Sequence, residues 1–297
     1  MKKHIKISLL VLFLLATMSG TAMASTSGSI SIEVNKDRIE TDAAAYIDHG
    51  TTIVPLNVIR KIPGISVAWN NSSKTVTIVH DNKTIKLVAG QNTATIGSNK
   101  VNLPVATLIK NGRVMVPLRF IAEAADAYIA WNPYTRDVQI VKATQEMIEK
   151  TKSSDLAEAR KATLELPTVR LLKPITNAVE MSSTLTYYFP EGKADQVFMT
   201  MGNGIEYLEA IDGRLEQKWV GRFGEKGTIK GPFFLSAIAE DVGKQPVITA
   251  DRITFFKQIL PIGEADYGFI SKDGKVTTLG HHDMPGLYDF FIIPEEQ

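Results

Sequence analysis

Residues 280–286 read GHHDMPG and set His281, His282 and Asp283 in a row, a dense group of potential metal ligands in a chain with five histidines. A zinc or copper site needs three or four such ligands converging at about 2 Å. Neighbouring residues on a strand point to opposite faces, so only one of the two histidines joins a given site with ease. The sequence holds no His-x-His, no His-Glu-x-x-His and no second cluster to supply the remaining ligands. The expectation is a plain loop, with no metal and no cofactor.

Carboxylates are the other candidate chemistry. Glu206, Glu209, Asp212, Glu216, Glu264 and Asp266 all fall in the second half of the chain. A carboxylate-based hydrolase needs two acids held at a set separation across a cleft. Glu206 and Glu209 on one strand face opposite ways and make a poor pair. Gly-x-Ser-x-Gly, Walker A and Rossmann patterns are missing. The chain has no cysteine, which excludes disulfides, thiol catalysis and thiolate metal sites. No catalytic residue is assigned, and binding residues are left unknown.

The elements that would position such groups are announced by a duplication. Residues 50–79 align without a gap on 112–141, with 11 identities in 30. In each copy a Gly turn (His49-Gly50, Asn111-Gly112) leads into a β-branched run, and then into Pro55-Leu56 or Pro117-Leu118. The proline is expected at the first helical position, where its missing N–H costs nothing. In the second copy Leu118, Ile121, Ala122 and Ala125 follow at helical spacing, with Arg119 and Glu123 on another face, Arg119 solvated or salt-bridged. Pro63-Gly64 shortens the helix of the first copy. An extended run then reaches Trp69-Asn70 or Trp131-Asn132, a polar turn follows, and an alternating strand with one buried face returns. Each unit therefore reads strand, short helix, hairpin. An exposed Trp can stack on a sugar ring, but two at equivalent places in a duplicated unit are expected to fill core, with Asn serving the turn. Pro55, Leu56, Trp69, Asn70, Pro117, Leu118, Trp131 and Asn132 are thus read as structural. Residues 83–88 and 92–96 suggest a further hairpin between the copies.

Residues 144–167 are rich in Glu, Lys and Ala and read as a helical or flexible linker. Beyond them, 184–189, 196–201, 205–211 and 214–220 suggest strands joined by Gly-rich and Asp-Gly turns, with 267–271 and 275–279 as another hairpin around Asp273-Gly274. A helix is expected at 232–242. The first 24 residues carry Lys2, Lys3 and Lys6, an apolar run at 7–18 and an Ala-Met-Ala end, which reads as a signal peptide cut after Ala24. The remainder has 30 Lys+Arg against 32 Asp+Glu, a balance with no general attraction to nucleic acid or anionic surfaces. No later stretch approaches the roughly 18 apolar residues of a membrane helix.

The stretch GRVMVPLRFIAEAADAYIAWNPYTRDVQIV and its weaker partner resemble the duplicated unit of the copper amine oxidase N-terminal domain-like family, over about residues 30–142. The resemblance implies a stalk or scaffold module of the kind common in secreted proteins of Gram-positive bacteria, with antiparallel strands wrapping short helices. Copper does not come with it, because the chain has no Asn-Tyr dipeptide for a quinone cofactor and no His-x-His. The first copy also departs from the pattern, with Asn57 in place of Arg and with Pro63 interrupting its helix. The expected architecture is α+β: a signal peptide at 1–24, a duplicated strand-helix-hairpin stalk at 25–143, the linker at 144–167 and a β-rich domain at 168–297. The expected function is a secreted, non-enzymatic, envelope-associated scaffold whose second domain binds a ligand, a wall polymer or another surface protein. A secreted hydrolase in 168–297 is the alternative. A third reading is an interaction protein using a flat sheet face with Tyr207 and Trp219 among its contacts.

Overall fold

The computed structural model describes residues 30–175, 182–224, 235, 238–259 and 264–283. The expected signal peptide lies outside them. Strands hold 52% of the described residues and helices 12%. This corrects the α+β expectation: the fold is β-rich and dominated by sheets. The four helices among the described residues are short, Leu56–Ile59 (α1), Leu118–Ala124 (α2), Gln145–Lys150 (α3) and Leu156–Glu165 (α4). The apolar spacing after each Pro-Leu supports only one or two turns. Asp126, with a left-handed φ of 53°, then turns the chain out of α2. Pro55 and Pro117 cap these helices from extended conformations, one residue earlier than expected. None of the described helices is long and apolar enough to cross a membrane.

Nor do the copies fold as separate strand-helix-hairpin modules. Thr51–Pro55 (β4) and Arg113–Pro117 (β11), which are equivalent strands, pair antiparallel with Val54 opposite Val116. Equivalent residues face each other, so a local two-fold axis passes between these valines. Tyr46–Asp48 (β3) and Leu108–Lys110 (β10) flank them symmetrically, giving a four-stranded sheet in the order β10-β11-β4-β3. Both tight turns in this sheet use two left-handed residues, His49-Gly50 and Asn111-Gly112.

The remaining strands are exchanged between copies. Ile65–Asn70 (β5) and Thr75–His80 (β6) continue through Lys83–Val88 (β7) to Thr93–Ile96 (β8) and Asn99–Asn102 (β9) in a five-stranded sheet. Sixty-two residues separate the copies, so β8 and β9 are the counterparts of Ser31–Val34 (β1) and Asp37–Arg38 (β2). Those two join the hairpin of the other copy, Tyr128–Asn132 (β12) and Asp137–Val141 (β13), and β1 runs parallel to β13. One apolar cluster serves both copies, and includes Val54, Leu56, Ile59, Val76, Ile78, Val116, Leu118, Ile121, Val138 and Ile140.

The second half is a nine-stranded sheet. Thr168–Val169 (β14) opens it in parallel with Arg214–Phe223 (β18). From β18 the antiparallel order runs through Gly204–Ile211 (β17), Gln196–Met201 (β16), Thr184–Pro190 (β15), Arg252–Ile259 (β20), Glu264–Ser271 (β21) and Val276–Asp283 (β22). Ile238–Gly243 (β19) also pairs with β18, a strand where a helix was expected; residues 232–234 and 236–237 of that expectation lie outside the described residues. Asp155 caps α4, and α4 lays Leu164 on the sheet together with Leu166, Phe189, Val197, Leu208 and Phe256. Buried Arg160 of α4 stacks its guanidinium 4.9 Å from the Phe189 ring centre and donates to Lys193 O. Residues 144–167 are thus partly built into the core of the second half. The other apolar cluster of the sheet holds Phe198, Ile205, Tyr207, Trp219 and Ile253.

The two-fold contact predicts a coupled effect. Val54→Ala and Val116→Ala should each cost about 2 kcal/mol in urea unfolding. The double variant should depart from additivity by about 0.5 kcal/mol or more, whereas Val54→Ala combined with Val197→Ala in the other half should add.

Candidate functional site

The two halves meet at a cleft of about 300 Å³, formed by the end of the duplicated module and the Asp212-Gly213 turn. Its wall on the module side is the polar end of the two-fold axis. His80 closes β6, and its counterpart Lys142 follows β13; the Lys142 Nζ lies 3.0 Å from His80 Nε2 and also donates to Ala125 O. His80 Nδ1 is 3.2 Å from Gly64 O, so the tautomer that donates there leaves Nε2 as an acceptor for the ammonium. Burial pushes the Lys142 ammonium below its ordinary range, against the pull of Asp126 and Asp81. Asp126 accepts from Lys83 at 3.1 Å, and that bond holds its carboxyl below the usual range. On the opposite wall Arg214 stacks 4.0 Å above the Tyr128 ring and donates to Glu216. Ile148 of α3 covers Gly213, where an added Cβ would come within 2.9 Å of it.

Beside the cleft a polar latch joins the halves. Asn132 Nδ2 and Gln139 Nε2 both donate to Arg170 O, at 2.8 and 2.9 Å, and Gln139 Oε1 accepts from Arg170 N at 2.9 Å. The Arg170 side chain forks onto Glu206, with bonds of 2.9 and 2.7 Å, and Gln217 adds a third bond to that carboxylate. Ala130, Val141, Val169 and Leu171 pack around the latch. All five residues of β13 are consequently buried, against the expected single buried face, which its counterpart β6 comes closer to showing. Burial raises the Asp137 carboxyl, and burial followed by Asp137 raises that of Glu33.

The structural residues divide between the copies. Pro55, Leu56, Pro117 and Leu118 are buried. Trp69 and Trp131 are partly buried against the shared core, and Trp69 also lines a shallow groove of about 170 Å³ with Asn57, Arg60 and the Asp42–Arg113 ion pair. Asn70 and Asn132 both accept backbone N–H bonds within their turns, but Asn70 is exposed while Asn132 reaches across to Arg170. Arg119 is exposed, 3.8 Å from Glu123.

The carboxylates do not converge on this cleft. Glu206 is tied to Arg170, and Glu209 accepts from the Tyr207 hydroxyl at 2.7 Å. Burial would raise Glu216, but Lys218 and Arg214 hold it low. Asp212 is exposed on its turn. A hydrolytic general acid requires the opposite, a raised carboxyl facing a partner across open space. Tyr207 and Trp219 are corrected as surface contacts: they are 5% and 0% exposed, with Trp219 Nε1 donating to Asp241.

With this geometry in view, residues 33–140 match the family described as copper amine oxidase N-terminal domain. The domain that this family describes is a non-catalytic, stalk-like one. No curated protein matches the chain. Copper does not fit the histidines of the matched segment: His49 is exposed and bonded to Asp48, while His80 in another sheet faces the Lys142 ammonium.

Two predictions arise from the latch. Asn132→Ala and Asn70→Ala both remove the side-chain bonds of a turn, but only the first also removes a bond to Arg170 O, which Gln139 Nε2 alone then meets, so it should cost about 1 kcal/mol more in urea unfolding. The raised Glu33 and Asp137 carboxyls bind protons more readily folded than unfolded. Stability from them is therefore full below the ordinary carboxylate value of about 4 and declines as pH rises through the raised values. Asp137→Asn should flatten that decline in unfolding measured between pH 3.5 and 7.

Proposed function

We propose that the protein is a secreted, non-enzymatic scaffold of the cell envelope, in which the duplicated module presents the nine-stranded domain to a wall polymer or surface partner. The observation that carries this reading is the latch. The outward face of β13, which would otherwise be free surface, is given over to gripping Arg170, so the module serves as a fixed base for the next domain. A stalk needs such a joint, because a domain on a loose tether is not held at a defined distance from its anchor. The ion-paired carboxylates of the sheet lend no support to the hydrolase alternative.

Co-sedimentation with purified bacterial cell walls tests the proposal. The chain from residue 25 should pellet, and so should the fragment 144–297, which keeps α3 and α4 with the sheet they pack on. The fragment 25–143 should stay in solution. Pelleting of 25–143 alone would reverse the two roles, and failure of all three to pellet would remove wall association.

A further inference from the structure

The edge of the nine-stranded sheet brings together residues that are far apart in sequence. Across β21 and β22, Glu264 stands opposite Asp283 and Asp266 opposite His281. Strand alternation puts these four on one face, while Ala265 between the two acids is buried in the core. Ligand atoms of Glu264, His281 and Asp283 all lie within 4.8 Å of one another, and His281 Nε2 is 3.7 Å from Glu264 Oε2. Two ligands held about 2.1 Å from one cation can be no more than about 4.2 Å apart, a limit that the His281–Glu264 spacing already meets. On the far side of the ring, His281 Nδ1 is 2.9 Å from Asp266 Oδ1. In the tautomer that donates from Nδ1, that carboxylate accepts the hydrogen bond and the Nε2 lone pair faces Glu264, which is how metal-binding histidines are oriented.

The charge pattern points the same way. Like charges directly opposed on neighbouring strands destabilise a sheet. Glu264 and Asp283 are such a pair, and among the described residues neither has a lysine or arginine partner. Lys257, across from Asp266, lies 3.8 Å from that residue instead. Glu206 and Glu216, on the same sheet, are each met by cationic side chains. Among the described residues, the place where three ligand atoms converge thus holds no lysine or arginine, and His281 is charged there only when protonated.

We propose that Glu264, His281 and Asp283 bind a first-row divalent cation of the zinc class, with Asp266 as the positioning residue for His281. One nitrogen and two oxygen ligands leave coordination positions open to water or to an oxygen ligand of a partner. The proposal stands independently of wall association.

The test is titration of the tag-free, chelator-treated full chain with zinc sulfate by calorimetry. One saturable equivalent per chain is expected, with a rise in Tm on adding zinc. Glu264→Gln/Asp283→Asn should weaken binding by roughly a hundredfold or more, and Asp266→Asn by roughly ten- to a hundredfold. With saturating cobalt(II), Asp266→Asn should keep the visible spectrum of the native chain, because the ligands themselves are unchanged. The double variant loses a repulsive pair, so its metal-free Tm should match or exceed the native value. If it does not fold, Glu264→Gln alone carries the same expectation. Absence of saturable binding, or stoichiometric binding that survives these substitutions, overturns the proposal.

Discussion

Val54 and Val116 face each other across two antiparallel strands, and each is the counterpart of the other in the duplicated sequence. This contact constrains the whole first half. Once equivalent strands pair about a two-fold axis, the helices that follow must lie on related sides and share one core. The hairpins that follow the helices diverge into different sheets, and each needs partners from outside its own copy. The chain supplies them by exchange: β1 and β2 complete the sheet of the second copy, and β8 and β9 that of the first. The same axis ends at His80 and Lys142, where the duplicated positions have diverged into an imidazole and an ammonium and the surface is polar.

The second copy is adapted further. Asn70 and Asn132 make the same turn, and Lys74 and Arg136 leave it with the same left-handed backbone. Only the later copy places Gln139 where the earlier has Thr77, and only its asparagine reaches another domain. The polar groups buried at this joint are matched by bonds to the Arg170 main chain, so most of their desolvation is offset. Duplication provided two hairpins of one shape, and a few substitutions turned the outer face of one into a docking surface.

Much of this local structure could be read from the residues. The Gly turns, the Pro-Leu helix starts, the runs into Trp-Asn and the Asp-Gly hairpin of the second half depend on neighbours a few positions away, which is where sequence patterns are informative. The helical content was overestimated because Leu118, Ile121, Ala122 and Ala125 fit a helical face whether the helix lasts two turns or four. The exchange of hairpins could not be read at all, because alternation fixes which face of β1 is buried and not which strand lies beside it. Tyr207 and Trp219 illustrate the same limit: period two placed them on strands, but both faces of that sheet are covered. Equally, the grouping of Glu264 with His281 and Asp283 is a product of cross-strand register. A scan along the chain finds only the His-His-Asp run and none of its partners.

The parallel pairing of Ser31 with Asp137 carries a consequence for the order of events as the chain is made. The first strand of the module finds its place only beside the last, so a chain emerging from its N-terminal end cannot finish the sheet of the second copy until nearly all of the module is out. Contacts so distant in sequence form slowly, because loop closure precedes any compensating gain. Up to that moment β1 has only its short hairpin with β2 to hold it. A chain with this topology stays threadable through a narrow channel for longer than one that folds from its leading end.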